Sequence, residues 1–74
     1  MKKIYFSLWN DKGVALGKLG KHKEAIECFD NEIKINPDYV KAWNNKGDAF
    51  YELGNYDDAE ICYDEANRLS GKSR

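Results

Sequence analysis

The side chains able to do covalent or acid–base chemistry are one histidine, His22, two cysteines, Cys28 and Cys62, and a run of carboxylates at Asp57, Asp58, Glu60, Asp64 and Glu65. A nucleophile needs a base within hydrogen-bond reach and a third group to orient that base. Cys28 stands six residues after His22 and Cys62 falls in the other half of the chain, so helical spacing assembles no such set. Two thiols and one imidazole also fall short of a structural zinc site. The carboxylates gather around one predicted helix start and its outer face, where Asp57 and Asp58 complement the positive end of the helix dipole. The loop spacing of a calcium site is missing. No enzyme, metal site or cofactor is expected.

The ten aromatic residues and the lysines raise base stacking on single-stranded nucleic acid as a further chemistry. Most of the rings fall on predicted core stripes, with Tyr39 and Tyr51 as the exceptions. The lysines form no continuous basic face and the net charge is −1, so nucleic acid is not expected as a partner. Charge is nevertheless uneven: residues 1–36 carry seven lysines against five acids, and residues 37–74 carry five basic groups against eight acids. Two solvated surfaces would look like this, and so would unlike ends that attract when copies stack.

No run approaches the roughly 20 apolar residues of a membrane span, and residues 1–9 lack the cleavage site of a signal peptide. A cytoplasmic location with reduced cysteines is therefore expected. With 74 residues, 42% hydrophobic and 34% charged, the chain suits one small domain of amphipathic helices with marginal stability.

The elements that position these groups come from a duplication. Trp9-Asn10-Asp11-Lys12-Gly13 aligns with Trp43-Asn44-Asn45-Lys46-Gly47 at an offset of 34 residues. In the same register Ala15 meets Ala49, Leu19-Gly20 meets Leu53-Gly54, Ala25 meets Ala59, Cys28 meets Cys62 and Asp30 meets Asp64. Leu8, Trp9, Lys12, Ala15, Leu16 and Leu19 follow helical steps of three and four, as do Ala42, Trp43, Lys46, Ala49, Phe50 and Leu53. Gly20 and Gly54 end these helices, and second stripes run through His22, Ala25, Ile26, Phe29 and Ile33 and through Tyr56, Ala59, Tyr63 and Ala66. Asn36-Pro37-Asp38 separates the copies. The pattern predicts four helices over 4–19, 22–35, 39–53 and 56–69. Gly13 and Gly47, costly inside helices, are expected to admit a close neighbour, with Ala25 and Ala59 opposite and Trp9 and Trp43 at the edge.

These residues resemble the tetratricopeptide repeat. The first copy supplies Trp9, Gly13, Leu16, Ala25, Phe29 and Pro37, and the second Trp43, Gly47, Phe50, Ala59, Tyr63 and Ala66. The resemblance implies an all-α fold of two helix-turn-helix hairpins, stacked as a short right-handed α-solenoid in one domain over 1–74. Repeat one covers about 6–39 and repeat two about 40–71, with a polar tail at 72–74. Lys12 and Lys46 replace the usual leucine before the helix glycine, with stems expected to cover apolar surface. Glu32 replaces a small residue and is expected at an edge or paired with Lys12 or Lys46. Gly71 replaces the final proline, and no solvating helix follows it.

In proteins of this kind the first helices of successive repeats line a concave groove that holds a peptide. Here the lining would be Ser7, Asn10, Val14, Gly17, Lys18, Lys41, Asn44, Asn45, Asp48, Tyr51 and Glu52, a polar surface of low sequence selectivity. Of the clamp that some relatives use on chaperone tails, only Asn45 is matched. Asn10 and Val14 stand where a lysine and an asparagine would be, so no carboxylate clamp is expected. Each repeat leaves apolar surface for a neighbour. Ile4, Tyr5 and Phe6 at one end and Ile61 and Leu69 at the other are candidates for self-association into a homo-oligomer. The resemblance thus implies a protein–protein interaction module holding a polypeptide in its groove. The alternative is a self-assembling structural unit, or a piece of a longer or designed array.

Overall fold

The computed structural model describes residues 6–71, which form four α-helices: α1 (Leu8–Lys18), α2 (His22–Ile35), α3 (Val40–Glu52) and α4 (Tyr56–Ser70). The fold is all-α, and no strand occurs among the described residues. The helices pack in chain order, α1 on α2, α2 on α3 and α3 on α4, with a slighter contact of α1 on α3. Two hairpins stacked on each other result, as the duplication predicts.

The first helix begins later than the apolar spacing predicted, at Leu8 rather than at 4. Ser7 is its N-cap, in extended backbone, with Oγ accepting from the Asn10 N–H at 2.9 Å. A serine hydroxyl satisfies a helix N–H that would otherwise lack a partner, which stops the helix there despite the apolar residues before it. Ile4, Tyr5 and the predicted tail 72–74 lie outside the described residues. The hairpin turns run as expected: Gly20 and Gly54 both have φ of +82°, a conformation that admits glycine at little cost.

Within each hairpin a ring lies directly on a glycine. A methyl group added at Gly13 would sit 2.8 Å from Cδ1 of Phe29, and one added at Gly47 would sit 2.7 Å from Cε1 of Tyr63. Ala25, Phe29 and Ala49 form a buried cluster, flanked by Val14, Leu16 and Ile26. Ala59 and Ala66 are equally buried in the second hairpin. Trp9 and Trp43 sit at the edges beneath lysines, with Lys12 Nζ 5.7 Å and Lys46 Nζ 5.5 Å from the respective ring centres, close enough for a cation–π attraction. Trp43 Nε1 donates to the Pro37 carbonyl at 2.8 Å, tying the inter-repeat turn to α3.

Leu8, Ala15 and Leu19, on the apolar spacing of α1, are exposed, whereas Ala42 and Ala49 at the equivalent positions of Leu8 and Ala15 are buried. The reason is that α3 is packed between α2 and α4, while α1 rests mainly on α2. Glu32 is not at an edge: it is 2% exposed and accepts a hydrogen bond from Ser7 Oγ at 2.7 Å, while Lys46 pairs instead with Asp30 at 2.6 Å. Burying a carboxylate without polar contacts is expensive, and the capping serine supplies one such contact across 25 residues of chain. Cys28 and Cys62, expected half-buried, are buried free thiols.

Candidate functional site

A groove of about 410 Å³ opens where α1, α2 and α3 meet. Its floor is the apolar surface of Ala25, Phe29 and Ala49, already fixed by the ring-on-glycine packing of the first hairpin. One wall is α1, offering Val14, Gly17 and Lys18; the other is α3, offering Asn45, Asp48 and Glu52. Gly17 has open space beside it, which widens the groove at that point. His22 also lines the groove. Apolar floor and polar rim suit a chain segment that buries a side chain while keeping its backbone hydrogen-bonded.

Six of the eleven residues expected to line a groove are therefore brought together here: Val14, Gly17, Lys18, Asn45, Asp48 and Glu52. The others lie elsewhere. Ser7 is buried in the cap of α1. Asn10 is 5% exposed, and its Oδ1 accepts from Asn45 Nδ2 at 3.0 Å, a bond that ties α1 to α3 at the base of the two walls. Lys41 and Asn44 are exposed and do not line this groove. Tyr51 belongs to a second, shallower recess with Tyr56, Ala59, Glu60 and Tyr63, where it meets Tyr56 edge-on with ring centres 5.0 Å apart. His22, Ala25, Phe29 and Ala49 were read as core or turn residues, and their part in the groove follows from side-chain direction, which spacing alone does not reveal.

Asp48 is held by Tyr63, whose hydroxyl donates to its carboxylate at 2.5 Å. Burial pushes the Tyr63 phenol up to about 12, and the Asp48 carboxylate adds to this by accepting its proton and repelling the phenolate. Because the folded value exceeds the ordinary value of 10.0, the stability from this contact is complete below about pH 10 and is lost as pH rises toward 12. Urea denaturation is expected to show a fall in stability between about pH 10 and about pH 12 that Tyr63→Phe reduces. An unchanged fall in the variant would contradict the assignment.

Burial raises the Cys62 thiol, as do Asp30 and Asp58, against the opposing pull of Lys46, so this sulfur is disfavoured as a thiolate. Among the described residues no group of three or more histidine, cysteine or carboxylate side chains could hold a metal ion. Also among them, no helix is long and apolar enough to cross a membrane. Tyr39, one of the two rings not assigned to the core, is half-buried; burial raises its phenol, with Glu32 and Asp11 adding to the effect.

No curated protein matches the chain. The family model described as tetratricopeptide repeat matches residues 10–73. That span takes in α2, α3, α4 and all but the first two residues of α1, with both ring-on-glycine contacts and the groove. The chain belongs to the tetratricopeptide repeat family, a class of helical modules for protein–protein interaction.

Proposed function

We propose that this protein docks an extended polypeptide segment in the groove between α1 and α3, with no chemical step. One observation carries the reading: a concavity of about 410 Å³ with an apolar floor at Ala25, Phe29 and Ala49 and a rim of Lys18, Asn45, Asp48 and Glu52. The floor gives the groove its shape, half-buried Val14 on the α1 wall offers apolar surface that a segment can still cover, and the rim supplies hydrogen bonds and charge that orient it. One N–H of the Asn45 amide is taken by Asn10, which leaves its second N–H and its carbonyl to pair with a bound backbone. The two rim carboxylates against one lysine favour a segment of neutral or positive charge.

Selection from a random peptide library, followed by titration of the isotope-labelled protein with the enriched peptide, tests this. Shifts are expected at Val14, Gly17, Lys18, Asn45 and Asp48. Val14→Glu, which sets a carboxylate over the apolar floor, is expected to weaken binding roughly tenfold or more. Shifts confined to another face, or binding indifferent to Val14→Glu, would contradict the proposal.

A further inference from the structure

The 34-residue equivalence shows what the junction between the two hairpins is made of, and which halves of the same junction stand uncovered elsewhere in the molecule. Inside the chain, Asp30 of α2 pairs with Lys46 of α3 at 2.6 Å, and Phe29 packs with Ala49. The equivalents of the α3 side are Lys12 and Ala15 on α1, both exposed; those of the α2 side are Asp64, exposed, and Tyr63, half-buried, on α4. Leu8, 84% exposed, is the image of Ala42, which is wholly buried. One face of the molecule thus carries the α3 half of a junction, and the opposite face carries the α2 half.

The second recess agrees. Tyr51, Tyr56, Ala59 and Tyr63 are the images of Gly17, His22, Ala25 and Phe29, which form the α1 and α2 side of the groove. Its missing wall corresponds to Asn45, Asp48, Ala49 and Glu52, whose images are Asp11, Val14, Ala15 and Lys18. The charges are complementary as well, since the half of the chain with α1 is net positive and the half with α4 net negative.

We propose that α4 of one copy packs against α1 of a second copy in the register of the internal α2–α3 junction. Asp64 then pairs with Lys12 of the next copy, Tyr63 covers its Ala15, and the recess at Tyr51 and Tyr56 becomes a second groove walled by Val14 and Lys18 of that copy. The contact between Asn45 and Asn10 is likewise repeated, with the Asn44 amide donating to the Asp11 carboxylate of the neighbour, both being exposed in the single chain. The two faces differ, so the contact is head-to-tail and propagates into rows rather than closing as a two-fold dimer.

Charge exchange tests the register. Sedimentation of the intact chain over rising concentration at low salt is expected to show growing association, weakened roughly tenfold by Lys12→Asp or by Asp64→Lys alone and restored when the two variants are mixed in equal amounts. Ala15→Arg, which drives a long charged chain into the space of the neighbouring Tyr63, is expected to weaken association by roughly tenfold or more. Circular dichroism checks that each variant keeps its helices. A parent protein that stays monomeric to roughly millimolar concentration, or association that ignores all three substitutions, overturns the proposal. Neither Lys12 nor Asp64 lines the first groove, so such a failure leaves peptide docking there untouched.

Discussion

Phe29→Ala is expected to leave most of the protein unfolded at room temperature. The ring is 3% exposed, lies on Gly13 and joins Ala25 and Ala49 in the buried cluster that connects the two hairpins. Removing a buried phenylalanine costs about 3–5 kcal/mol through lost transfer energy and the cavity left behind. A domain of this size has roughly 3–5 kcal/mol of stability to lose. Urea denaturation followed by helical circular dichroism measures the effect. Tyr63→Ala, at the half-buried equivalent position, is expected to cost less. A loss under about 1 kcal/mol for Phe29→Ala would mean that the cluster does not hold the hairpins together.

The second large effect separates two glycines four residues apart on one helix. At Gly13 an added methyl would approach Phe29 Cδ1 to 2.8 Å and Cζ to 2.9 Å, and the ring is enclosed by the core and has little room to retreat. Overpacking of this kind costs about 1–3 kcal/mol, which outweighs the gain of about 1 kcal/mol in helix propensity. Gly13→Ala is therefore expected to destabilise by about 1–2 kcal/mol. At Gly17 nothing lies within 4 Å of the same methyl, so Gly17→Ala is expected to stabilise by about 0.5–1 kcal/mol. Chemical denaturation of the two variants side by side decides; equal signs would contradict the packing described. Gly17→Ala also narrows the groove, so its effect on peptide binding is read separately from its effect on folding.

Helices α2, α3 and α4 were legible to within a residue, because the steps of three and four between apolar residues were bounded by Gly20, Pro37, Gly54 and Gly71. The interlocking of Gly13 with Phe29 and of Gly47 with Tyr63 was legible for a related reason: a glycine inside a helix is unfavourable unless something needs the space. The start of α1 was obscured because Phe6 continues the apolar character across the cap, and only the hydroxyl of Ser7 marks the boundary. The exposure of Leu8, Ala15 and Leu19 could not be read from spacing, since periodicity shows which face is apolar and not whether a neighbour covers it.

The groove divided in the same way. Val14, Lys18, Asn45, Asp48 and Glu52 share a line on the first helices that spacing reveals, and the structure places them around one concavity. Ser7 and Asn10 share that line too, but hydrogen bonds across 25 and 35 residues of chain take them into structural roles. Glu32 shows the limit most clearly. A carboxylate where the equivalent residue is Ala66 pointed to an edge or to a lysine partner, and the tertiary approach of Ser7 supplies a hydrogen bond to it that spacing does not reveal.

Both the groove and its image on α4 depend on two hairpins built alike, each with a ring seated on its helix glycine. Proton nuclear Overhauser spectroscopy tests that most directly, because protons above a ring face are both close to it and shifted upfield. Gly13 α-protons should show cross-peaks to the Phe29 ring and Gly47 α-protons to the Tyr63 ring, with upfield shifts at both glycines. Cross-peaks in one hairpin and none in the other, or ordinary shifts at both glycines, would contradict the account.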